Sequence, residues 1–293
     1  MNKKLNIVPL KDLNLTNRFL FDEVMEDRQT HRDVLEIIFQ REIPLLEENE
    51  TEKELRVSPL SRSIRMDVFA IDEEDKVYNT EMQQKKRSDL AKRSRYYQSM
   101  IDTSLLEPGI PSYNLLKDSY IIMIMPFDLF GYGKYQYTFR SVCCEVPEYS
   151  LEDGATRIFL NTRGTNPQEV SKELVEFLRY LEHTTDEEAE KTDSRRIRRI
   201  HNRVRKVKSS EEIGVKYMQA WEEKYYEREE AKAEGREEGR TEGRAEGKAE
   251  QLKDIIKKKL AKNQSPEKIA EALETSEETI RALIEEIENE RIL

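Results

Sequence analysis

Three residues in the stretch Ser63–Gln83, SIRMDVFAIDEEDKVYNTEMQ, have the types and spacing that chemistry on a phosphate ester requires: Asp67, Glu81 and Gln83. Two neighbouring carboxylates offer hard oxygen ligands to a divalent cation such as Mg²⁺ or Mn²⁺. Such an ion polarises a phosphodiester, acidifies an attacking water and stabilises the departing oxygen. An amide does not titrate, so Gln83 is suited to orienting a water or a phosphate oxygen by hydrogen bonds. The competing reading is plain: two acids within twenty residues are common in a charged chain, and these would then be exposed strand residues paired with Arg65 or Lys85.

The elements around them decide whether the three can meet. Ile64–Ile71 and Val77–Gln83 are rich in β-branched and aromatic residues, and the acidic run Asp72–Lys76 between them reads as a turn, so the stretch is a β-hairpin. Strand side chains alternate between faces, which points Glu81 and Gln83 the same way, with Asp67 on the neighbouring strand. Asp and Glu are poor strand formers and need a reason to be there. Directly after the hairpin comes a helix capped by Ser88 or Asp89 and reaching about Leu106. Its approach and first turns carry Lys85, Lys86, Arg87, Lys92, Arg93 and Arg95. This is either a solvated helix face or a set of cations for a phosphate backbone.

Upstream, Asn14–Glu26 and the run after Thr30 show apolar residues at helical spacing, with Thr16 and Thr30 as expected caps. Both read as core-packing helices, with Asp22, Glu23 or Glu36 as a possible extra metal ligand. Glu54–Leu60 reads as a first strand. Ser119–Phe127 is the most apolar run and suits a central strand buried on both faces. Phe130–Lys134 is Gly-rich but lacks phosphate-loop spacing, so it reads as a turn. Tyr135–Val146 and Arg157–Thr162 read as strands, and Asn166–Pro167 as the start of a helix to about Leu181. The order predicts a mixed α/β core around one central sheet. Asp193–Lys208 holds eight Lys or Arg around Ile197, Ile200, Val204 and Val207 at helical spacing. This amphipathic helix either packs on the core with a wet basic face or offers Arg195, Arg196, Arg199 and Arg203 to nucleic acid. His201, among these arginines, looks incidental.

The chain has 293 residues, 50 Lys+Arg, 60 Asp+Glu and a net charge of -10, with apolar residues concentrated before about Leu181. A solvated helical tail is expected beyond. No signal peptide and no apolar run of membrane-spanning length are seen, so no membrane is expected. The two cysteines, Cys143 and Cys144, are adjacent, a poor geometry for a disulfide. That points to a reduced, cytoplasmic protein. The repeat Glu234–Lys248 places Gly235, Gly239, Gly243 and Gly247 at a four-residue period. At about 1 kcal/mol per helical Gly, it reads as a frayed connector or as a self-associating helix with a right-handed supercoil. The last segment, 251–293, outlines a small helix-turn-helix-like module whose final helix is acidic, which favours protein interaction or homo-oligomerisation over DNA.

Several separate segments also resemble one family in order. Arg65-Met66-Asp67-Val68, Asn79-Thr80-Glu81-Met82-Gln83, Arg95-Tyr96-Tyr97, Pro126–Gly131, Tyr137–Arg140 and Ile158–Thr162 are similar to the PD-(D/E)XK nuclease family transposases, close to the Rpn recombination-promoting nucleases. The resemblance covers about residues 5 to 230. It implies a restriction-endonuclease-like core with a central mixed sheet flanked by helices, and metal-dependent DNA cleavage. Asp67 and Glu81 match the metal-binding acids, and the Met82 backbone carbonyl is implied as a further ligand. Gln83 stands where the motif has lysine, and Met66 where it has proline. The expected division is a nuclease core over 1–185, a basic helical segment over 186–232, the repeat over 233–250 and the helical module over 251–293. The alternative is a nuclease-fold protein with its chemistry weakened or lost, acting through its tail.

Overall fold

The computed structural model describes residues 7–44, 50–55, 64–106, 109 and 112–289. Two compact units form, Met1–Tyr217 and Met218–Leu293. The first is built on a six-stranded sheet. Its strands are β1 (Glu50–Leu55), β2 (Ile64–Ile71), β3 (Val77–Met82), β4 (Ser119–Met125), β5 (Gln136–Phe139) and β6 (Ala155–Asn161), in the spatial order β1-β2-β3-β4-β6-β5. Pairings are antiparallel for β1–β2, β2–β3 and β5–β6, and parallel for β3–β4 and β4–β6. This is the mixed α/β architecture expected.

β4 lies inside the sheet because its side chains can be buried on both faces. Ile122 and Ile124 enter one core with Val68, Ala70, Tyr78, Ile158 and Leu160, under α1 (Arg18–Met25), α2 (Arg28–Phe39), α4 (Lys172–Glu182) and α6 (Arg195–Ser209). Ile121, Met123 and Met125 enter a second core with Leu90, Tyr97, Met100 and Ile101 of α3 (Leu90–Leu105). A strand in that position has no polar face to show, which is why it reads as a continuous apolar run.

Several expected boundaries move. Asn17, not Thr16, caps α1 by accepting from the Leu20 amide at 3.3 Å. Asp27, not Thr30, caps α2 at 2.9 Å from the Thr30 amide. Both have short polar side chains in extended backbone just before the first turn, which is what a cap needs. The first strand ends at Leu55; the rest of the expected Glu54–Leu60 run lies outside the described residues. Likewise, only Gly109 of the expected turn at Pro108–Pro111 is described. The expected strand Tyr135–Val146 is paired only over Gln136–Phe139. The helix expected at Asn166 is first a 3-10 turn, Pro167–Glu169, after which Ser171 caps α4 from the Leu174 amide at 3.1 Å. In the Gly-rich turn, Asp128 accepts from the amides of Phe130, Gly131 and Gly133. Cys143 and Cys144 are free.

The hairpin turn is more than a polar loop. Asp72 is buried, accepts the Glu74 and Lys76 amides at 2.9 Å each, and takes the Tyr78 hydroxyl at 2.7 Å. That fixes the register that brings Val68 opposite Thr80.

α6 packs Ile197, Ile200, Val204 and Val207 into the core, as its spacing predicts. Part of its basic face, however, is turned toward α1 and α2. Arg199 meets Asp33 at 2.5 Å, Arg196 meets Glu36 at 2.8 Å, and Arg203 donates to the Glu23 carbonyl at 3.0 Å. Arg195 stays exposed. His201 is not incidental: it is buried, 2.8 Å from the Tyr180 hydroxyl and 3.0 Å from Asp186.

The repeat is helical rather than frayed. α7 runs from Glu211 to Leu260 straight through it. The glycines are outnumbered by Ala, Glu, Arg and Lys, all strong helix formers, and Glu237–Arg240 adds an i,i+3 pair at 2.9 Å. In the second unit, α8 (Pro266–Ala272) and α9 (Glu277–Asn289) close a small core of Ile256, Ile269, Ala270, Ile280 and Ile287 with the end of α7. Among the described residues, no helix is long and apolar enough to cross a membrane.

Asp33 is fully buried while Arg199 is half in water, so removing the arginine leaves a buried charge only partly compensated. Arg199→Ala is therefore expected to cost about 2–3 kcal/mol, below the range for a fully buried pair. Arg195→Ala should stay within about 0.5 kcal/mol. Urea unfolding of both variants checks this; equal effects would mean that α6 is not held by these pairs.

Candidate active site

The hairpin brings the sequence-predicted acids together. Asp67 sits one residue beyond the Val68–Thr80 pair on β2, and Glu81 stands next to Thr80 on β3. Both are 2% exposed, so the reading of solvent-facing strand acids fails. Among the described contacts their partners are Arg18 and Arg93 rather than Lys85, and the Arg65 side chain lies outside those described.

Each carboxylate divides its two oxygens between two tasks. Asp67 Oδ2 accepts the Met82 amide at 2.9 Å, and Glu81 Oε1 accepts the Asp67 amide at 3.0 Å and the Asn79 amide side chain at 3.2 Å. These bonds lock both acids to the hairpin backbone. The second oxygens hold cations: Asp67 Oδ1 lies 2.5 Å from Arg18 Nη2, and Glu81 Oε2 lies 3.2 Å from Arg93 Nη2.

Arg93 ties several parts of the site together. It donates to Gln83 Oε1 at 3.1 Å as well as to Glu81, its Nε meets the Tyr97 hydroxyl at 2.8 Å, and its guanidinium lies 4.9 Å from the Tyr97 ring centre. So Glu81 and Gln83 do point the same way, and one residue of the basic helix turns in to join them. The Gln83 amide nitrogen donates to the Lys85 carbonyl at 2.8 Å. Lys85, Lys86, Arg87, Lys92 and Arg95 remain exposed. Lys86 donates to the Asp128 carbonyl and Arg87 pairs with Asp89. Arg196, Arg199 and Arg203 are not part of this group; they hold α6 to α1 and α2.

The electrostatics follow from burial. Loss of solvent, then the adjacent Asp67 charge, pushes the Glu81 carboxyl up to about 8, and Arg93 offsets only part of this. Burial and Glu81 also push the Tyr97 phenol up to about 12. Two buried carboxylates in contact through one backbone amide cannot both ionise cheaply without positive charge beside them, and this donor set fits a hard divalent cation. Among the described residues, no group of three or more His, Cys, Asp or Glu side chains is placed to hold a metal ion. Of the three helix acids considered, only Asp22 approaches it, through Arg18 Nε at 3.4 Å. Glu23 pairs with Lys216, and Glu36 with Arg32 and Arg196.

Sequence reasoning missed Arg18, Asn79 and Tyr97. Asn79 was detectable, since it lies two residues before Glu81 on the same strand face. Arg18 gave no signal of its own beyond its i,i+4 spacing to Asp22.

Beside the site, a cleft of about 320 Å³ opens at the carboxyl ends of β3, β4 and β6, lined by Asn14, Thr16, Gln84, Pro126, Arg163 and Glu182. Ligands of open α/β sheets bind at such strand ends.

Searches of curated proteins and of solved structures return no match. A comparison with protein families matches residues 18–235 to the PD-(D/E)XK nuclease family transposases, a span containing the whole hairpin, α3 and α6. With most of its length matched and an α/β sheet of the kind that family implies, the chain belongs to the PD-(D/E)XK nuclease family transposases.

Proposed function

We propose that this protein is a DNA endonuclease dependent on Mg²⁺ or Mn²⁺ that promotes recombination by hydrolysing phosphodiesters at Asp67, Glu81 and Gln83. The observation that carries the reading is the pair of buried carboxylates, each locked by a backbone amide and each with one oxygen committed to a cation. Asp67, Glu81 and the Met82 backbone carbonyl would hold the metal. When bound, it supplies Lewis-acid stabilisation of phosphate charge. The chain's own residues do the rest. Gln83 orients a water or a phosphate oxygen. Arg93 takes the place of the motif's missing lysine, as a permanent cation held against Glu81 and Gln83. Lys85, Lys86, Arg87, Lys92 and Arg95 line up exposed positive charge beside the site for the DNA backbone. Of the four α6 arginines named from sequence, Arg195 is the one outside the described clamp to α1 and α2 and serves the same task, whereas Arg196, Arg199 and Arg203 act structurally. The reducing cytoplasm, the division 1–185, 186–232, 233–250 and 251–293, and action on DNA complete the reading.

A second reading, a nuclease-fold binding protein with weak chemistry, is favoured by one observation: Gln83 replaces the lysine. Plasmid DNA with Mg²⁺ or Mn²⁺ separates the two. Nicking should fall at least about a hundredfold in Asp67→Ala and Glu81→Ala, on the scale of losing electrostatic stabilisation of the transition state. Nicking that persists in both variants overturns the site. Band shifts without any cleavage favour the second reading.

The α7 repeat suits self-association. Each Gly of the series Gly235, Gly239, Gly243 and Gly247 follows a Glu (234, 238, 242, 246) and precedes Arg236, Arg240, Arg244 or Lys248. Helical residues turn by about 100°, so acid and base flank the glycine line on opposite sides. Two copies side by side match acid to base only when parallel; antiparallel copies match like to like. Replacing Arg236, Arg240 and Arg244 by Glu should shift the full chain toward monomer in sedimentation. An unchanged mass excludes this surface.

The raised Glu81 carboxyl has a further consequence. A group whose folded-state value exceeds its unfolded one adds stability that is complete at low pH and is lost as pH rises toward about 8. In a chelator, wild type should lose melting temperature relative to Glu81→Gln between pH 5 and 8.5. Mn²⁺ should abolish that difference in slope.

A further inference from the structure

Two arginines hold the second oxygens of the acid pair, but they are held very differently themselves. Arg93 has four anchors: Glu81, Gln83, the Tyr97 hydroxyl and the Tyr97 ring. It belongs to α3, whose Leu90, Tyr97, Met100 and Ile101 are core residues. Moving it would break all four contacts. Arg18 opens α1, its side chain is 37% exposed, and the ion pairs described for it are with Asp67 and with Asp22 four residues later. Its contact with Asp67 Oδ1 is close, at 2.5 Å, and Asp67's other oxygen is taken by the Met82 amide.

Resting on the metal-site reading above, we infer that Arg18 is a resident counter-ion of Asp67 that a divalent cation displaces, while Arg93 stays in place. The argument is one of shared ligands. Asp67 Oδ1 is the oxygen not committed to the hairpin backbone, and a cation bound there meets the guanidinium as a like charge. A buried carboxylate with no cation is costly, so the metal-free fold needs Arg18. A metal-loaded fold no longer does. Arg18 has a place to go without crossing the core: Asp22 lies on the next turn of the same helix face, and part of the side chain is exposed, although its Nε and Nη2 are buried at the pair. Arg18 therefore sets the metal affinity of the site without being a ligand. It acts through Asp67 and is a positioning residue.

The two equilibria are linked, so weakening the Arg18–Asp67 contact must strengthen metal binding by the same factor. The test is calorimetric titration of Mn²⁺ into the full-length chain, with the melting temperature read with and without Mn²⁺. Arg18→Gln should bind Mn²⁺ roughly fivefold or more tightly than wild type, at the lower end of typical site–site couplings. It should also melt lower in chelator and gain more from Mn²⁺. Arg18→Lys keeps a charge but not the planar fork that spans Asp22 and Asp67, so its affinity should fall between the two. If Arg18→Gln proves too unstable to titrate, the lysine variant alone decides, by binding more tightly than wild type or not. Arg93→Gln should not tighten binding. Mn²⁺ binding that is lost in Asp67→Asn but unchanged or weaker in the Arg18 variants overturns this inference and leaves the metal site standing. Absence of Mn²⁺ binding in wild type and all variants overturns both.

Discussion

Burying negative charge is the constraint on which the rest of the first unit depends. Two carboxylates at 2% exposure would each cost several kcal/mol if left alone. The chain meets that cost from three directions: backbone amides of the hairpin, the first turn of α1 and the first turns of α3. Each of these elements has its own reason to be where it is. β4 needs cover on both faces, α3 supplies one side and α1 and α2 the other. The result is that helices placed for apolar burial also deliver Arg18 and Arg93 to one end of the hairpin.

The same solution recurs beneath α6. Asp33 and Glu36 are buried on α2 and answered by Arg199 and Arg196. This part of the basic helix works as a clamp rather than as a landing surface, and an excess of Lys and Arg in sequence says little about which of them are free. The cations that remain exposed beside the acid pair, from Lys85 to Arg95, are the better measure of what the site can attract.

The hairpin was legible because Asp67, Glu81 and Gln83 sit where strand chemistry gives acids no benefit, and because period-two alternation is local. β4 was legible as an unbroken apolar run, and the buried stripe of α6 as a 3.6-residue period. What escaped were features set by distant pairing. Nothing around Arg18 marks it as a partner of Asp67, and nothing in α6 names Asp33. The caps Asn17 and Asp27 stand in extended backbone just before their helices, whereas the expected cap Thr30 lies inside α2. The glycine repeat misled because the cost of each Gly is local, while the helix is sustained by all its neighbours.

The oxygen-by-oxygen division at Asp67 and Glu81 also bears on what this protein is when idle. Many metal sites are hollows of unbalanced charge that stay open or unfold without their ion. Here each acid of the pair already has partners without one: a backbone donor and a guanidinium. On the proposed metal site, chelation would remove a ligand from a finished structure instead of dismantling it. Switching between the two proposed forms would take a side chain swinging on α1, not a change of fold. A nuclease made that way would be stored safely, because its metal-free form would itself be a native state.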